Sequence, residues 1–223
     1  MKRHDLYGPV HKALRASLSQ LMVRLGQTDF TNEAEAAESI AAVRRQLAAS
    51  ASHLAHEDAH VHEALKQRAP GSTSRLDEDH RHHRAAFVDL EILLQRIEDT
   101  PPLERASLGR ILYLRFSKFV ADDLAHMAEE ELETLVQLHD VFSDQELRDI
   151  EAAIVASIPP QERMETLGRF VPVLSRPERI AFLSFARSSA PPEAFDALME
   201  TAVRPVLKPE DWRHLNDGLR LAA

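Results

Sequence analysis

The sequence predicts an all-α protein: an up-down-up-down four-helix bundle over residues 1–140, followed by a helical extension over 141–223. Three observations carry that expectation. Ala, Leu, Glu and Arg are plentiful while Gly numbers 6 and aromatics make up 5%, a mix that favours helix. Apolar residues recur at three- and four-residue spacing along four long stretches. The stretches are separated by short breaks, which place consecutive helices antiparallel.

The first helix is expected from Pro9 to Leu25, with Pro9 in its first turn and Gly26 as its stop. Tyr7, Leu14, Leu18, Leu21 and Leu25 form its apolar stripe. Asp29 and Asn32 offer caps for the second helix, which runs to about Lys66 before Pro70-Gly71. Ser74 followed by Asp77 resembles a capping box and opens the third, through about Glu98. Thr100-Pro101-Pro102 breaks the chain, and the fourth helix runs from about Leu103 to His139. Ser143-Asp144-Gln145-Glu146 opens a further helix ending near Ile158. Beyond it, Pro159-Pro160, Pro177, Pro191-Pro192, Pro205 and Pro209 punctuate short helical segments. Ile154, Leu167, Phe170, Val173, Leu183, Phe185 and Leu198 read as their apolar faces, and Trp212 as a packing anchor. No internal sequence repeat is evident.

Composition narrows the function. A formal charge of −9 argues against a nucleic-acid or anionic-membrane partner. With no cysteine, thiolate sites, iron–sulfur clusters and disulfides are excluded. Any redox role must come from a bound group. No apolar run approaches the length of a membrane span, and MKRHDLYGPVHK has no apolar core of a signal peptide. The expected location is therefore cytoplasmic.

Eleven of the twelve histidines precede residue 140. Each of the four long helices sets an imidazole at or beside its apolar stripe: His11, His53, His80 with His83, and His126. Two add a carboxylate four residues on, one turn along the same face: His53 with Glu57, and His126 with Glu130. Imidazole with carboxylate is a ligand set for iron, zinc or manganese. Stepping along the helices places His56 and His60 progressively outward, His62 on the opposite flank and His82 away from the core. Asp123 falls among the core residues of the fourth helix, where an unpaired charge needs a partner.

Ferritin-like sites need an acid on each of four helices, and the first helix here has none between residues 9 and 26. The chain instead resembles the hemerythrin-like (HHE cation-binding) family over about residues 4–140. The resemblance rests on DLYGPVHKALR, HLAHEDAHVHEAL, DEDHRHH and FVADDLAHMAEEE, and on the order His, His-x-x-x-Glu, His, His-x-x-x-Glu. It implies a hemerythrin-like four-helix bundle with two non-haem iron ions, zinc or manganese being the alternatives in a purified sample. By that resemblance His11 and His53 serve one iron, and His80, His126 and His83 the other, with Asp123 a substitute for His83. Glu57 and Glu130 bridge them. Arg84 departs from the family pattern, which has a second histidine four residues after His80.

The resemblance implies a protein that binds or senses O2, peroxide or nitric oxide. The runner-up expectations are an oxidoreductase turning over peroxide or nitric oxide, with Asp123 or Tyr7 as proton donor, and a zinc-bound or metal-free helical interaction module. Residues 141–223 are equally suited to signal transmission, a homodimer interface or a partner protein.

Overall fold

The computed structural model describes residues 3–221. It is all-helical, with no strand among the described residues, and it divides into two compact units, Met1–Ile154 and Val155–Ala223.

In the first unit, α1 spans Gly8–Gln27 and α2 spans Glu33–His56. α2 continues through a π-helical segment, Glu57–His62, into α3, Glu63–Arg68. α4 spans Ser74–Asp99. A 3₁₀ turn, Pro102–Glu104, leads into α5, Ala106–Glu129. A second π segment, Glu130–Thr134, follows and passes into α6, Leu135–Val141. The four expected helices are thus present within a few residues, two of them carrying a π insertion that periodicity did not reveal.

Local chemistry explains most of the boundaries. Asn32 Oδ1 accepts from the backbone N–H groups of Ala34 and Glu35, as expected of a cap. Ser74 does not cap α4; its hydroxyl donates to the Gly71 carbonyl, and Thr73 precedes the helix. Asp77 is drawn away to Lys66 and the Thr73 hydroxyl. Gly26 lies inside the last turn of α1, where an added Cβ would come 3.3 Å from the Tyr113 ring. Its role is close packing, and Thr28 in extended conformation ends the helix.

α1 packs on α2 and α5, and α4 packs on the same two, so the four long helices close a ring of contacts. Inside lies one apolar core that includes Leu18, Leu21, Ile40, Val43, Leu94, Leu112 and Phe116. A second cluster joins Tyr7, Val61, Leu65, Leu138 and Phe142 to Leu147. Leu147 belongs to α7, Asp144–Ser157. That burial carries the first unit to Ile154, past the expected boundary at 140.

The second unit contains α8 (Pro160–Val173), α9 (Arg176–Ser189), α10 (Pro192–Leu198) and α11 (Pro209–Leu221). Its core is Val171, Leu183, Phe195, Met199, Val203, Leu215 and Leu219, with Trp212 packed against it. Phe185, expected on the apolar face, is 59% exposed. No helix of the described residues is long and apolar enough to cross a membrane.

Candidate metal centre

Each π segment begins at one of the two predicted glutamates. Glu57 starts the segment after α2 and Glu130 the segment after α5. A π turn takes one extra residue, and such turns are common at functional sites. In both cases the insertion falls immediately after a His-x-x-x-Glu pair, so the pair itself keeps helical spacing.

Six predicted residues converge. Donor atoms of His11, His53, Glu57 and Glu130 lie within 4.8 Å of one another, as do those of Glu57, His80, His126 and Glu130. The two groups share both glutamates. Glu57 Oε1 lies 3.2 Å from His53 Nε2 and 3.7 Å from His11 Nε2, and its Oε2 lies 3.6 Å from His80 Nε2. Glu130 Oε2 sits 3.4 Å from His11 Nε2 and 3.5 Å from His126 Nε2. Glu57 therefore faces three imidazoles and Glu130 two.

Two outer hydrogen bonds set the tautomers. His11 Nδ1 lies 2.9 Å from Glu131 Oε1, and His80 Nδ1 lies 2.8 Å from Asp58 Oδ1. Hydrogen bonding from His11 lowers the Glu131 pKa to about 2. Burial raises that of Asp58, but bonds from His80 and Arg84 outweigh it and leave it lowered. Both groups are therefore ionised at neutral pH, and an ionised carboxylate only accepts. The protons must sit on Nδ1, which turns the bare lone pairs of His11 and His80 Nε2 towards Glu57 and Glu130.

That arrangement suits a cation. All four oxygens of Glu57 and Glu130 are buried with no hydrogen-bond partner beyond the facing carboxyl, and Nε2 of His11 and His53 are buried without one. Burial, then the facing Glu130, pushes the Glu57 pKa well up; burial, then Asp123, does the same to Glu130. Burial lowers His80 to about 4 and His126 to about 2 and pushes His53 well down. The imidazoles are thus neutral, the protonation state in which they ligate metals. His80 Nε2 and His126 Nε2 stand 3.0 Å apart. The donor set fits a metal ion.

His83 is buried beside the cluster but outside both donor groups. Its ring centroid is 5.0 Å from that of His126, and its Nε2 is 3.8 Å from Asp123 Oδ1. Burial raises the Asp123 pKa to about 7. Tyr7 stacks on His11 at 5.1 Å with its hydroxyl buried and without a protein partner. Burial, then the charges of Glu130 and Glu57, raises its pKa well above the usual value.

His62 corrects the sequence reading. Uniform helical stepping puts it on the opposite flank, yet it is fully buried and its ring stacks on His80 at 4.7 Å. Its donor atom groups with those of Asp58 and His80. The cause is the π turn: a residue five beyond Glu57 returns to nearly the same face, where an α-helix would carry it about 140° round. Asp58 and Glu131 were also missed. Each directly follows a predicted glutamate, and that adjacency was the available signal.

Comparison with protein-family models, curated proteins and solved structures found no match to this chain.

Proposed function

We propose that the first unit is a hemerythrin-like four-helix bundle that holds two iron ions and binds or senses O2 or a related small ligand. The observation that carries this reading is the convergence of His11, His53, His80 and His126 on a shared pair of orphaned carboxylates, Glu57 and Glu130. His11 and His53 would hold one ion, His80 and His126 the other, and the two glutamates would span both. Iron held by nitrogen and oxygen donors supplies redox chemistry and affinity for O2, peroxide or nitric oxide. The chain's own part is to hold four neutral imidazoles in place and to exclude water. The buried Phe116 and Phe119 and the packed Phe87 contribute apolar wall to the same unit.

A second reading, turnover of peroxide or nitric oxide, is favoured by the Tyr7 hydroxyl. It is a buried proton donor without a protein partner, within the electrostatic reach of both glutamates. The test is anaerobic reconstitution with ferrous iron, elemental analysis, and absorption spectra as air is admitted. About two irons per chain with new near-ultraviolet bands support the binding reading. Peroxide consumption that is lost in Tyr7→Phe while iron content is retained moves the second reading ahead. No iron uptake, or zinc with a silent spectrum, leaves a helical interaction module.

A further inference from the structure

The cluster contains a two-fold repeat of side chains. On α1 and α4 a histidine is followed four residues later by an arginine: His11 with Arg15, and His80 with Arg84. At the ends of α2 and α5 a histidine is followed four residues later by a glutamate and then a second acid: His53, Glu57, Asp58 and His126, Glu130, Glu131. The second acid of each set crosses to the other kind of helix. Glu131 accepts from His11 Nδ1 and from Arg15 Nη1 at 2.6 Å, against α1. Asp58 accepts from His80 Nδ1 through one oxygen and from Arg84 through the other, against α4. Arg84, a departure when read as a missing ligand, is the counterpart of Arg15.

We propose that Asp58 and Glu131 are paired positioning residues, one for each metal position, each holding a facing imidazole as its Nδ1–H tautomer with Nε2 turned to the glutamates. This rests on the two-metal reading above. The arginine anchors each carboxylate, so the acceptor is fixed before any ion arrives. Outer carboxylates that orient a ligand histidine are worth about 10- to 100-fold in metal affinity. Because Glu131 reaches only His11 and Asp58 only His80 among the six converging residues, each acts on one ion. The π turns make the arrangement: they begin at Glu57 and Glu130, so the next residue projects from a loosened turn towards the adjacent helix. The repeat is broken on one side. Asp58 also lies 3.3 Å from His62 Nδ1, whereas Leu135 stands five residues after Glu130.

Cobalt(II) titration of the full chain, competed with a chromophoric chelator, resolves two affinities and gives visible and hyperfine-shifted proton spectra. Glu131→Ala should weaken one ion by about 10-fold or more and remove one exchangeable Nδ1–H resonance. Asp58→Ala should do the same to the other ion and to a different resonance. Glu131→Gln and Asp58→Asn keep an oxygen that accepts from Nδ1, so both should recover most of the loss. Equal weakening of both ions by either variant, or unchanged affinities in variants of native circular dichroism, would overturn the assignment. Wild-type protein that takes up no cobalt would overturn the metal reading itself, and this proposal with it.

Discussion

Arg179 in the C-terminal unit and Glu57 in the N-terminal unit are about equally buried, at 5% and 3% exposure. Their surroundings differ. The Arg179 guanidinium donates to the carbonyl oxygens of Val171 and Leu174 at 2.9 and 3.0 Å and lies 3.7 Å from Asp211. Its charge is met by its own chain, and it closes the turn between α8 and α9. The Glu57 oxygens have no hydrogen-bond partner beyond the Glu130 carboxyl that faces them, and Glu130 is in the same condition. A buried charge satisfied internally is architecture. Buried acids gathered without other partners, their pKa values pushed up, cost stability unless something else binds them. The contrast sets the first unit apart as the one that holds a candidate metal centre.

The largest test of that contrast is metal itself. Iron(II) at about a thousand times its dissociation constant should stabilise the first unit by roughly 4 kcal/mol. Hydrogen exchange should show the added protection in α1, α2, α4 and α5, with none in α9 or α11. Protection gained equally in both units would erase the distinction.

Truncation should cut in opposite directions in the two units. Arg179→Met leaves two buried carbonyls unpaired and should cost the second unit about 2–4 kcal/mol in chemical denaturation. Glu57→Gln removes an unpartnered carboxylate and should stabilise the metal-free first unit by about 1–3 kcal/mol, while lowering its metal uptake. A metal-free Glu57→Gln that unfolds more easily would mean the carboxylate has a structural role.

The pH dependence of the metal-free protein follows from the shifts. Burial lowers His11, His53, His62, His83, His80 and His126 from the ordinary 6.5, the last two to about 4 and 2. It raises Glu57, Glu130 and Asp123, the last to about 7. Between the ordinary carboxylate value of 4.5 and 6.5, the unfolded chain binds more protons through the six imidazoles than the folded chain retains on the three acids. Stability therefore rises with pH in that window. Above 6.5 the imidazoles are neutral in both states, and the folded acids still hold protons that the unfolded ones have lost. Stability then falls as pH rises. The melting temperature should peak near pH 6.5 without metal, and bound metal should abolish the fall on the alkaline side. A metal-free profile flat from pH 5 to 8 would contradict the burial of these groups.

The smallest expected effect is at a cap remote from the cluster. Asn32→Ala removes an acceptor for two backbone N–H groups and should cost about 1 kcal/mol, with metal affinity unchanged.

The helices were legible because their signals are local. Apolar spacing, the Asn32 cap and the proline breaks all act within a few residues. His11, His53, Glu57, His80, His126 and Glu130 were legible for the same reason: each sits beside an apolar stripe, and the His–Glu pairs share a face by spacing alone. His62 was not legible, because one angle per residue assumes an unbroken α-helix and the π turn after Glu57 resets the phase. Asp58, Glu131 and Arg15 carry nothing in the sequence that sets them apart from solvated charges, and Arg84 stands there only as a departure from the family pattern. Their meaning depends on which helix lies opposite, as when Glu131 meets a histidine 120 positions away. Helicity and the inward placement of His11, His53, Glu57, His80, His126 and Glu130 follow from periodicity and short-range chemistry. Which donors meet, which nitrogen of His11 and His80 carries the proton and where the helices loosen depend on packing between segments far apart in the chain.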